Sequence, residues 1–486
     1  MKISKNITAV VKSSTFAVVL SLLLTGCKKY LDIPLPVNAV AGSSAFISDN
    51  TTSAVVNGNF NGLLNGNQSG SIVMGVSGIG YLSGLYADEL FTPVNDVASK
   101  PYFSDALSST MTSTHWVGLY KQIYNVNVTI EGINGATNLT NKNQWLGESL
   151  FSRAFLYFNL VNLYGDAPLT TTSDYNKNNL LGKSPKAEIY QQIIADLKLA
   201  RTLLTVSYKD GSGNTTTDRG RPNLQAVNSL LARVYLYTAD WANAEAVSTT
   251  VIADANYQLV PPAQAFLANS KETIWALVPS QGAHVNDYDA YNSGMPATLA
   301  SPAALTPFGS SKAALMPDLL SVFEPGDTRL ANWVRSTTVT GTSTIPTAIY
   351  YYPNKYKSNV AGAEYTIVLR LSEQYLIRAE ARAQLENLNG AKGDIDAVRA
   401  RAGLGGVTIT SKDAMLVSIA KERRTELFTE AGHRFFDLKR TGALDAVITA
   451  LQTQKNNTWQ PFRAVWPIPL SDIQNDPNLA QNPGYN

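Results

Sequence analysis

The sequence predicts a mainly α-helical fold, in which tetratricopeptide-like pairs of helices carry an irregular, loop-rich region. Three observations predict it. Apolar residues recur every three or four positions in several segments, as on the buried face of amphipathic helices. In two places such segments follow each other directly, so helices are expected to pair as in repeat proteins. Between these places, residues 256–365 are rich in Pro, Ser, Thr, Gly and Tyr, which is typical of loops and short strands.

The individual helices are predicted from the same spacing. The pattern is moderate over 44–64 and strongest over 146–163, where Gly165 and Pro168 follow and end the helix. Asp240 stands between two periodic segments and is a candidate N-cap. The predicted helices span 44–64, 116–133, 146–163, 224–238, 241–252, 371–388 and 389–401.

These segments predict an organisation in five regions. The loop-rich region is too long for a plain connector, so we expect it to pack on the helical scaffold. The regions are a signal peptide (1–26), a lipid anchor and tether (27–43), an N-terminal helical repeat region (44–255), the loop-rich insertion (256–365) and C-terminal helical repeats with a tail (366–486).

The signal peptide is predicted from charge and length. Residues 1–26 carry three lysines and no acidic residue, with an apolar run over 16–24. Nine helical residues span about 14 Å, far short of a bilayer core of about 30 Å, so a signal peptide is favoured over a transmembrane helix. Cys27, the only cysteine, directly follows Gly26 and is the predicted site of lipid attachment. Acyl chains there are expected to hold the protein to a membrane.

The net charge excludes one class of partner. The chain has 39 lysines and arginines and 37 acidic residues, and loss of the three leader lysines leaves 36 against 37, or −1. A nucleic-acid-binding protein is expected to carry a basic stripe, and the sequence has none. We therefore predict no nucleic-acid partner.

Catalytic, metal and cofactor sites are not predicted. His115, His284 and His433 are far apart in the sequence, and the one cysteine is the predicted lipid site. Asp287 and Asp289 begin like a calcium loop, but the EF-hand pattern fails further along, which leaves open a calcium site of another kind made from loop carboxylates. We expect a protein that is not an enzyme and that carries no cofactor.

The charged segment 422–440 is predicted to be structural. If it is helical, opposite charges meet at spacings of three and four, as in Arg423 with Glu426 and Glu430 with Arg434. A salt-bridged helix face is therefore favoured over an acid–base site, and His433 is interpreted in the same way.

Several motifs follow one another in order behind Cys27. They are FSRAFLYFNLVNLYGDAP (151–168), GRPNLQAVNSLLARVYLY (220–237), LSEQYLIRAEA (371–381), ERRTEL (422–427), GHRFFDLKR (432–440), WPIP (466–469) and QNPGY (481–485). Each motif is weak alone, but together, behind the lipobox-like Cys27, they are specific. In this order they resemble the SusD/RagB family of outer-membrane nutrient-binding lipoproteins.

The resemblance implies a scaffold of tetratricopeptide-like repeats with a less regular, ligand-facing region. It also implies an outer-membrane location facing the exterior, a nutrient ligand that is usually a glycan, and a TonB-dependent transporter of the SusC type as partner.

Aromatic and amide side chains in the loops are the candidates for binding such a ligand. The tryptophans are expected to pack in the scaffold, with Trp459 the most open case. The candidate residues form three groups: first Tyr81, Tyr86, Asp88, Tyr102 and Phe103, then Asn286, Tyr288, Tyr291 and Asn292, and finally Tyr350, Tyr351 and Tyr352.

Two rival functions stay open at this stage. One is a surface hydrolase of polysaccharides, although the adjacent Asp88 and Glu89 do not by themselves define a pair of carboxylates across a cleft. The other is a helical scaffold that binds only proteins.

Overall fold

The helices predicted from the periodicity are present, with shorter helices between them. The structure, a computed structural model, describes residues 44–64, 73, 78–93, 96–111, 114–292, 296–300, 313–341, 343, 347–409 and 411–485. The predicted leader, Cys27 and the whole of the tether lie outside these ranges. Before residue 256 the helices are α1 (Asp49–Leu64), α2 (Ile79–Tyr86), α3 (Lys100–Phe103), α4 (Thr114–Gly135), α5 (Lys142–Tyr164), α6 (Tyr175–Asn178), α7 (Lys186–Leu203), α8 (Leu224–Tyr237) and α9 (Trp241–Ile252).

Local capping residues set the ends of these helices. Asp240 caps α9 as predicted, because its carboxylate accepts a hydrogen bond from the backbone N–H of Asn243 at 3.3 Å. Helix α5 ends at Gly165, whose φ of 72° lies in the left-handed region that favours glycine. Helices α4, α5 and α7 then pack side by side, and α8 packs on α9.

The described residues between 256 and 365 form short strands, as the composition predicts, and also short helices. The helices there are α10 (Asn286–Tyr291), α11 (Pro317–Leu320) and α12 (Thr328–Trp333). The strands of the chain are β1 (Leu90–Phe91), β2 (Tyr208–Lys209), β3 (Thr215–Thr216), β4 (Thr273–Leu277), β5 (Thr298–Leu299), β6 (Ala314–Leu315), β7 (Val334–Val339), β8 (Ala348–Pro353) and β9 (Thr366–Arg370).

The strands pair into small sheets. β1 pairs with β6, β2 with β3 and β4 with β9, all antiparallel. The three-stranded sheet has the order β5-β7-β8, with β5 parallel to β7 and β8 antiparallel to it at the edge.

The β4–β9 pair seats the loop-rich region on the helices. Both strands are buried along their whole length. Trp275, a strand residue as predicted, is surrounded by the rings of Phe60, Phe151 and Phe155, with ring centroids 4.8 to 6.0 Å apart. Edge-to-face contacts of this kind add to the free energy of burying the rings.

The C-terminal helices repeat the turn used earlier in the chain. Ala239, between α8 and α9, and Glu386, in the later pair, both have a left-handed φ, of 56° and 64°. Each is followed by a capping residue, Asp240 or Asn387. The later helices are α13 (Leu371–Gln384), α14 (Leu388–Arg401), α15 (Lys412–Leu427), α16 (His433–Arg440), α17 (Leu444–Ala450) and α18 (Leu470–Asn475).

The predicted helix over 371–388 is too long, because this turn ends it earlier. The helix ends at Gln384, because Glu386 leaves the helical conformation and the Asn387 side chain accepts a hydrogen bond from the N–H of Gly390 at 3.0 Å. Helix α13 packs on α9 and α14. Helix pairs joined by the same turn are consistent with tetratricopeptide-like repeats.

The C-terminal tail packs on the end of helix α5. The backbone N–H of Trp466 donates to the carbonyl of Leu163 at 2.8 Å, and the Asn482 amide donates to the carbonyl of Tyr164 at 2.9 Å. Trp459 is also buried, and its Nε1 donates to Asp445 at 2.7 Å. The motifs WPIP (466–469) and QNPGY (481–485) therefore contribute to packing of the tail on helix α5.

The charged segment 422–440 is structural, but its predicted partners are wrong. Arg423 pairs with Asp437 at 2.7 Å and not with Glu426, although both lie in helix α15. Arg434 pairs with Asp88 at 2.7 Å and not with Glu430, because the chain leaves the helical conformation between Leu427 and His433. Thr429 and Gly432 there have φ values of 58° and 76°. Helical spacing therefore does not apply across this break.

Glu426 is the centre of a buried ion-pair network. Its carboxylate, none of which is exposed, pairs with Arg329 at 2.8 Å and also with Arg370 and Arg401. Burial favours the neutral acid, but the charges of Arg401, Arg370 and Arg329 outweigh it and hold the pKa of Glu426 well below its ordinary value. The carboxylate is therefore ionised and neutralises arginines from three different elements.

Two further properties follow from the described residues. Among them, no helix combines the length and apolar character needed to cross a membrane. In the same ranges, no three His, Cys, Asp or Glu side chains group in a way that could hold a metal ion.

Replacing Glu426 by alanine is expected to lower the free energy of unfolding by about 3–5 kcal/mol, because buried arginines lose their counter-charge. Urea denaturation of the full chain measures this. The matched control is Glu386→Ala, whose side chain is 69% exposed in its pair with Lys412 and whose loss is expected to cost under about 1 kcal/mol. Equal midpoints for the two variants would contradict a central role for Glu426.

Candidate functional site

The first predicted group lies mainly inside the protein. Tyr81 and Tyr86 are buried, and Tyr86 donates from its hydroxyl to the carbonyl of Arg463 at 2.9 Å. Asp88 is 3% exposed and forms two hydrogen bonds of 2.7 Å with the Arg434 guanidinium. These three residues therefore have packing and ion-pair roles in this structure.

The carboxylates of Asp88 and Glu89 differ in their protonation. Burial opposes ionisation of Asp88, but Arg434 and Arg424 outweigh it and lower its pKa. Burial and the neighbouring charge of Asp88 raise the pKa of Glu89 to about 8. Both side chains are almost completely shielded from solvent. Of the two, Glu89 lines a cleft of about 490 Å³ together with Arg424 and Arg434, and Asp88 does not.

Tyr102 and Phe103 are half-buried against the C-terminal tail. The Tyr102 ring lies 5.4 Å from that of Trp466, and the Lys455 ammonium lies 5.2 Å from the centre of the Phe103 ring. Each of these two rings is therefore covered in part by a buried side chain, Trp466 or Lys455, and is exposed to solvent in part.

The second group is divided by helix α10. Asn286 is exposed and Tyr288 is half-buried, whereas Tyr291 and Asn292 are buried. Tyr291 contacts Tyr81 with ring centroids 5.8 Å apart, so these members of the first two groups meet inside the protein. Of this group, solvent reaches Asn286 and Tyr288.

The third group is divided by the alternation of strand β8. Successive side chains of a strand point to opposite faces, so Tyr350 and Tyr352 share one face and Tyr351 lies on the other. Tyr352 is fully buried, Tyr350 is half-buried beside Phe91 at 6.2 Å, and Tyr351 is 37% exposed. The three adjacent tyrosines therefore do not form one patch.

Arg335 joins the second and third groups, and the sequence analysis missed it. It lies opposite Tyr352 in the β7–β8 register, and its Nη1 donates to the side-chain oxygen of Asn292 at 2.8 Å. Burial lowers the pKa of Arg335, and the neighbouring Tyr288 and Tyr352 offset this in part. No sequence pattern marks it, because its neighbours come from α10 and β8.

Arg335 also differs from the arginines of the buried network. Among the described residues it forms no ion pair, whereas Arg329 and Arg370 each contact several carboxylates. A half-buried guanidinium beside tyrosine rings retains donors for a ligand. We name the Arg335 surface by the members that solvent reaches, Tyr288, Arg335 and Tyr350; Asn292 and Tyr352 are buried beside them.

The edge of this surface carries the two aspartates of the calcium-like sequence. Asp289 lies 3.0 Å from Nε2 of His284, whose ring packs on Tyr288 at 5.4 Å. Asp287 is buried and accepts a hydrogen bond from the Thr366 hydroxyl at 3.1 Å. The two carboxylates thus have separate protein partners.

Together the fold and this surface define a helical-repeat protein with a candidate binding face on its strand-and-loop region. Residues 164–485 match the model of the SusD family, and residues 88–236 match a second model, described as starch-binding and associating with the outer membrane. Because the first match covers more than half of the chain, the protein belongs to the SusD family.

Named relatives agree with this assignment. A SusD-like protein of Formosa agariphila is 26% identical over 429 residues, which cover 77% of this chain and 80% of the relative. Another from the same organism is 23% identical over 443 residues, covering 81% and 85%.

Solved structures share the fold. A SusD superfamily protein from Bacteroides vulgatus has a TM-score of 0.73 at 21% identity, covering 90% of this chain and 99% of that one. A laminarin-binding SusD-like protein has a TM-score of 0.71 at 22% identity, with the same coverage.

The alternation of β8 predicts opposite effects for adjacent tyrosines. Tyr352→Ala is expected to lower the free energy of unfolding by about 3–5 kcal/mol, because it leaves a cavity in a closed core. Tyr351→Ala is expected to cost under about 1 kcal/mol, since its ring is partly in solvent. Urea midpoints of the two variants measure the difference, and a larger loss for Tyr351 would contradict the register.

Proposed function

We propose that this protein binds a neutral oligosaccharide at the Arg335 surface and delivers it to a TonB-dependent transporter of the SusC type. The observation that carries the proposal is Arg335 itself, a half-buried cation without a carboxylate partner among the described residues. It is held between Tyr288 of α10 and the tyrosines of β8.

The side chains suit the chemistry of a sugar. A guanidinium offers a planar set of N–H donors to neighbouring hydroxyl groups, and an aromatic face packs on the C–H groups of a sugar ring. Asn292 accepts one hydrogen bond from Arg335 and fixes the orientation of its guanidinium. Tyr350 and Phe91 extend the aromatic face beyond Arg335.

The comparisons support the ligand class. One structural neighbour is described as laminarin-binding, another as a carbohydrate-binding protein from Bacteroides vulgatus, and one matching family model as starch-binding. The candidate ligand contacts are narrowed to the members that solvent reaches, namely Tyr288, Arg335 and Tyr350, with Asn286 at the edge.

Binding is proposed in place of hydrolysis. Asp88 and Glu89 are 3% and 2% exposed, and only Glu89 of the two lines a cleft, so the pair does not stand across a cleft as glycoside hydrolysis requires. Asp88 is also held by Arg434 and Arg424.

Attachment of the protein to the outer membrane through lipid on Cys27 is part of the same proposal. The predicted leader ends directly before Cys27, and the matching model is described as associating with the outer membrane. An anchor at the N-terminus with the folded part facing the exterior lets the protein meet polymers outside the cell.

Truncation at the Arg335 surface is expected to weaken ligand binding. Tyr288→Ala is expected to lower affinity about five- to tenfold, since a lost aromatic contact costs about 1 kcal/mol. Arg335→Met keeps much of the side-chain length, removes the donors, and is expected to cost at least about tenfold. Affinity gel electrophoresis with laminarin and with soluble starch, followed by titration calorimetry on whichever binds, measures both effects.

Two variants serve as controls for this experiment. Tyr175→Ala removes a tyrosine that is 73% exposed on α6, and Tyr351→Ala removes the one on the opposite face of β8. Both are expected to bind as the unmodified protein does. A loss confined to Tyr351→Ala would move the site to the other face, and no effect of Arg335→Met would refute the proposal.

The transporter partnership is tested separately. Affinity purification of the tagged protein from detergent-solubilised outer membranes of the native host is expected to recover a TonB-dependent transporter in comparable amount. A Cys27→Ser variant is expected to lose membrane attachment and, with it, this recovery. If the lipidated protein purifies without a transporter, delivery to a transporter is contradicted, but the proposal of ligand binding is not.

A further inference from the structure

A concave site separate from the Arg335 surface lies between helix α1, the β2–β3 hairpin and the end of strand β4. Its volume is about 540 Å³, within the range of about 300–1,000 Å³ that is usual for small-molecule sites. No residue of the Arg335 surface lines this cleft, and neither does any other candidate from the sequence.

One wall is a row of amide side chains on α1. Asn50, Asn57 and Asn61 are exposed and line the cleft, at helical spacings of seven and four that place them on one face. The start of the helix is fixed by Asp49, which accepts hydrogen bonds from Trp145 Nε1 at 2.8 Å and from the backbone of residues 140 and 141 at 2.9 Å.

Arg221 forms a rigid, buried part of the cleft. Its Nε and Nη2 bind the two carboxylate oxygens of Glu148 at 3.0 and 2.5 Å, and its guanidinium lies 4.9 Å from the Trp145 ring. The residue is 9% exposed. Nη1 has no hydrogen-bond partner in the part of the chain that the structure describes, so it is a donor whose position is already fixed.

The floor is apolar and firmly packed. Phe60 and Leu277 line it, and Phe60 contacts Trp275 edge-on at 6.0 Å. A site of this kind combines an apolar floor with amide, hydroxyl and guanidinium groups on its walls. Because its walls are held by contacts that exist without a ligand, little ordering is needed on binding.

The charges of the cleft select against anions. Lys209 and Arg221 carry positive charge, while Asp210, Asp218 and Glu148 carry negative charge close by. Asp210 is occupied in its own turn, where it accepts from the N–H groups of residues 212 and 214. The balance is slightly negative, so a phosphate or carboxylate ligand is disfavoured.

We infer that this cleft is a second ligand site, which takes a compact neutral polyhydroxylated molecule of one or two sugar rings. Asparagine amides donate to hydroxyl groups and accept from them, Nη1 of Arg221 adds a fixed donor, and Phe60 offers an apolar surface beneath the ring. The inference does not depend on binding at the Arg335 surface, because the two sites share no residue.

Hydrogen–deuterium exchange of the full-length protein in detergent tests the inference. Maltose, cellobiose and laminaribiose are each added at about 10 mM, which loads a site of millimolar Kd. At least one is expected to slow exchange in the peptides covering 49–64 and 208–221. Absence of protection there with all three would overturn the inference.

A pair of variants tests whether sugar binding in this cleft is what slows the exchange. The double variant Asn57→Ala with Asn61→Ala removes exposed amides and is expected to weaken binding of the protecting sugar at least about tenfold, as loss of two hydrogen bonds predicts. Asn389→Ala is the matched control, an exposed helical asparagine that does not line the cleft. Unchanged binding in the double variant would overturn the inference.

Failure here is distinguishable from failure of the proposed function. Protection limited to α10 and β8 would refute the second site while supporting the Arg335 surface. Protection at α1 that persists in Arg335→Met is the result expected of two independent sites.

Discussion

The buried carboxylate of Glu426 ties the loop-rich region to the C-terminal helices. It comes from α15, and its arginine partners come from α12, the end of β9 and the end of α14. This ionised group has all three of its arginine partners only when these elements are docked. Loss of any one docking would break an ion pair inside the buried network, which costs more than a lost surface pair.

The β7–β8 hairpin depends directly on this network. Arg329 lies in α12, which runs straight into β7, and Lys355 follows β8 by two residues. The Lys355 ammonium donates to the carbonyls of Glu426 and Phe428 at 2.8 and 2.9 Å, and burial lowers its pKa to about 8. Both ends of the hairpin are thus fixed inside the protein, and this holds Arg335 in place between them.

The two proposed sites show two ways in which an arginine can keep hydrogen-bond donors free of protein carboxylates. Arg335 has an amide partner and no carboxylate among the described residues, so the proposed ligand would meet N–H donors that no carboxylate occupies. Arg221 is neutralised by Glu148, so it offers a single fixed donor with little net charge. In both cases aromatic rings and hydrogen bonds from other elements set the orientation, which lowers the ordering needed on binding.

The sequence by itself determined the helices and the cap at Asp240, because hydrophobic periodicity and capping depend on residues close together in the chain. It also determined the family, because the ordered motifs are shared with related proteins. It also contained the alternation that separates Tyr351 from Tyr350 and Tyr352, since strand geometry has a period of two. Only the tertiary structure decided which charges pair. Arg329 and Glu426 are 97 positions apart, and Arg335 meets Asn292 across 43. Contacts between distant positions are set by the packing of whole elements, so no local pattern predicts that Arg329 is buried among carboxylates while Arg335 meets none among the described residues.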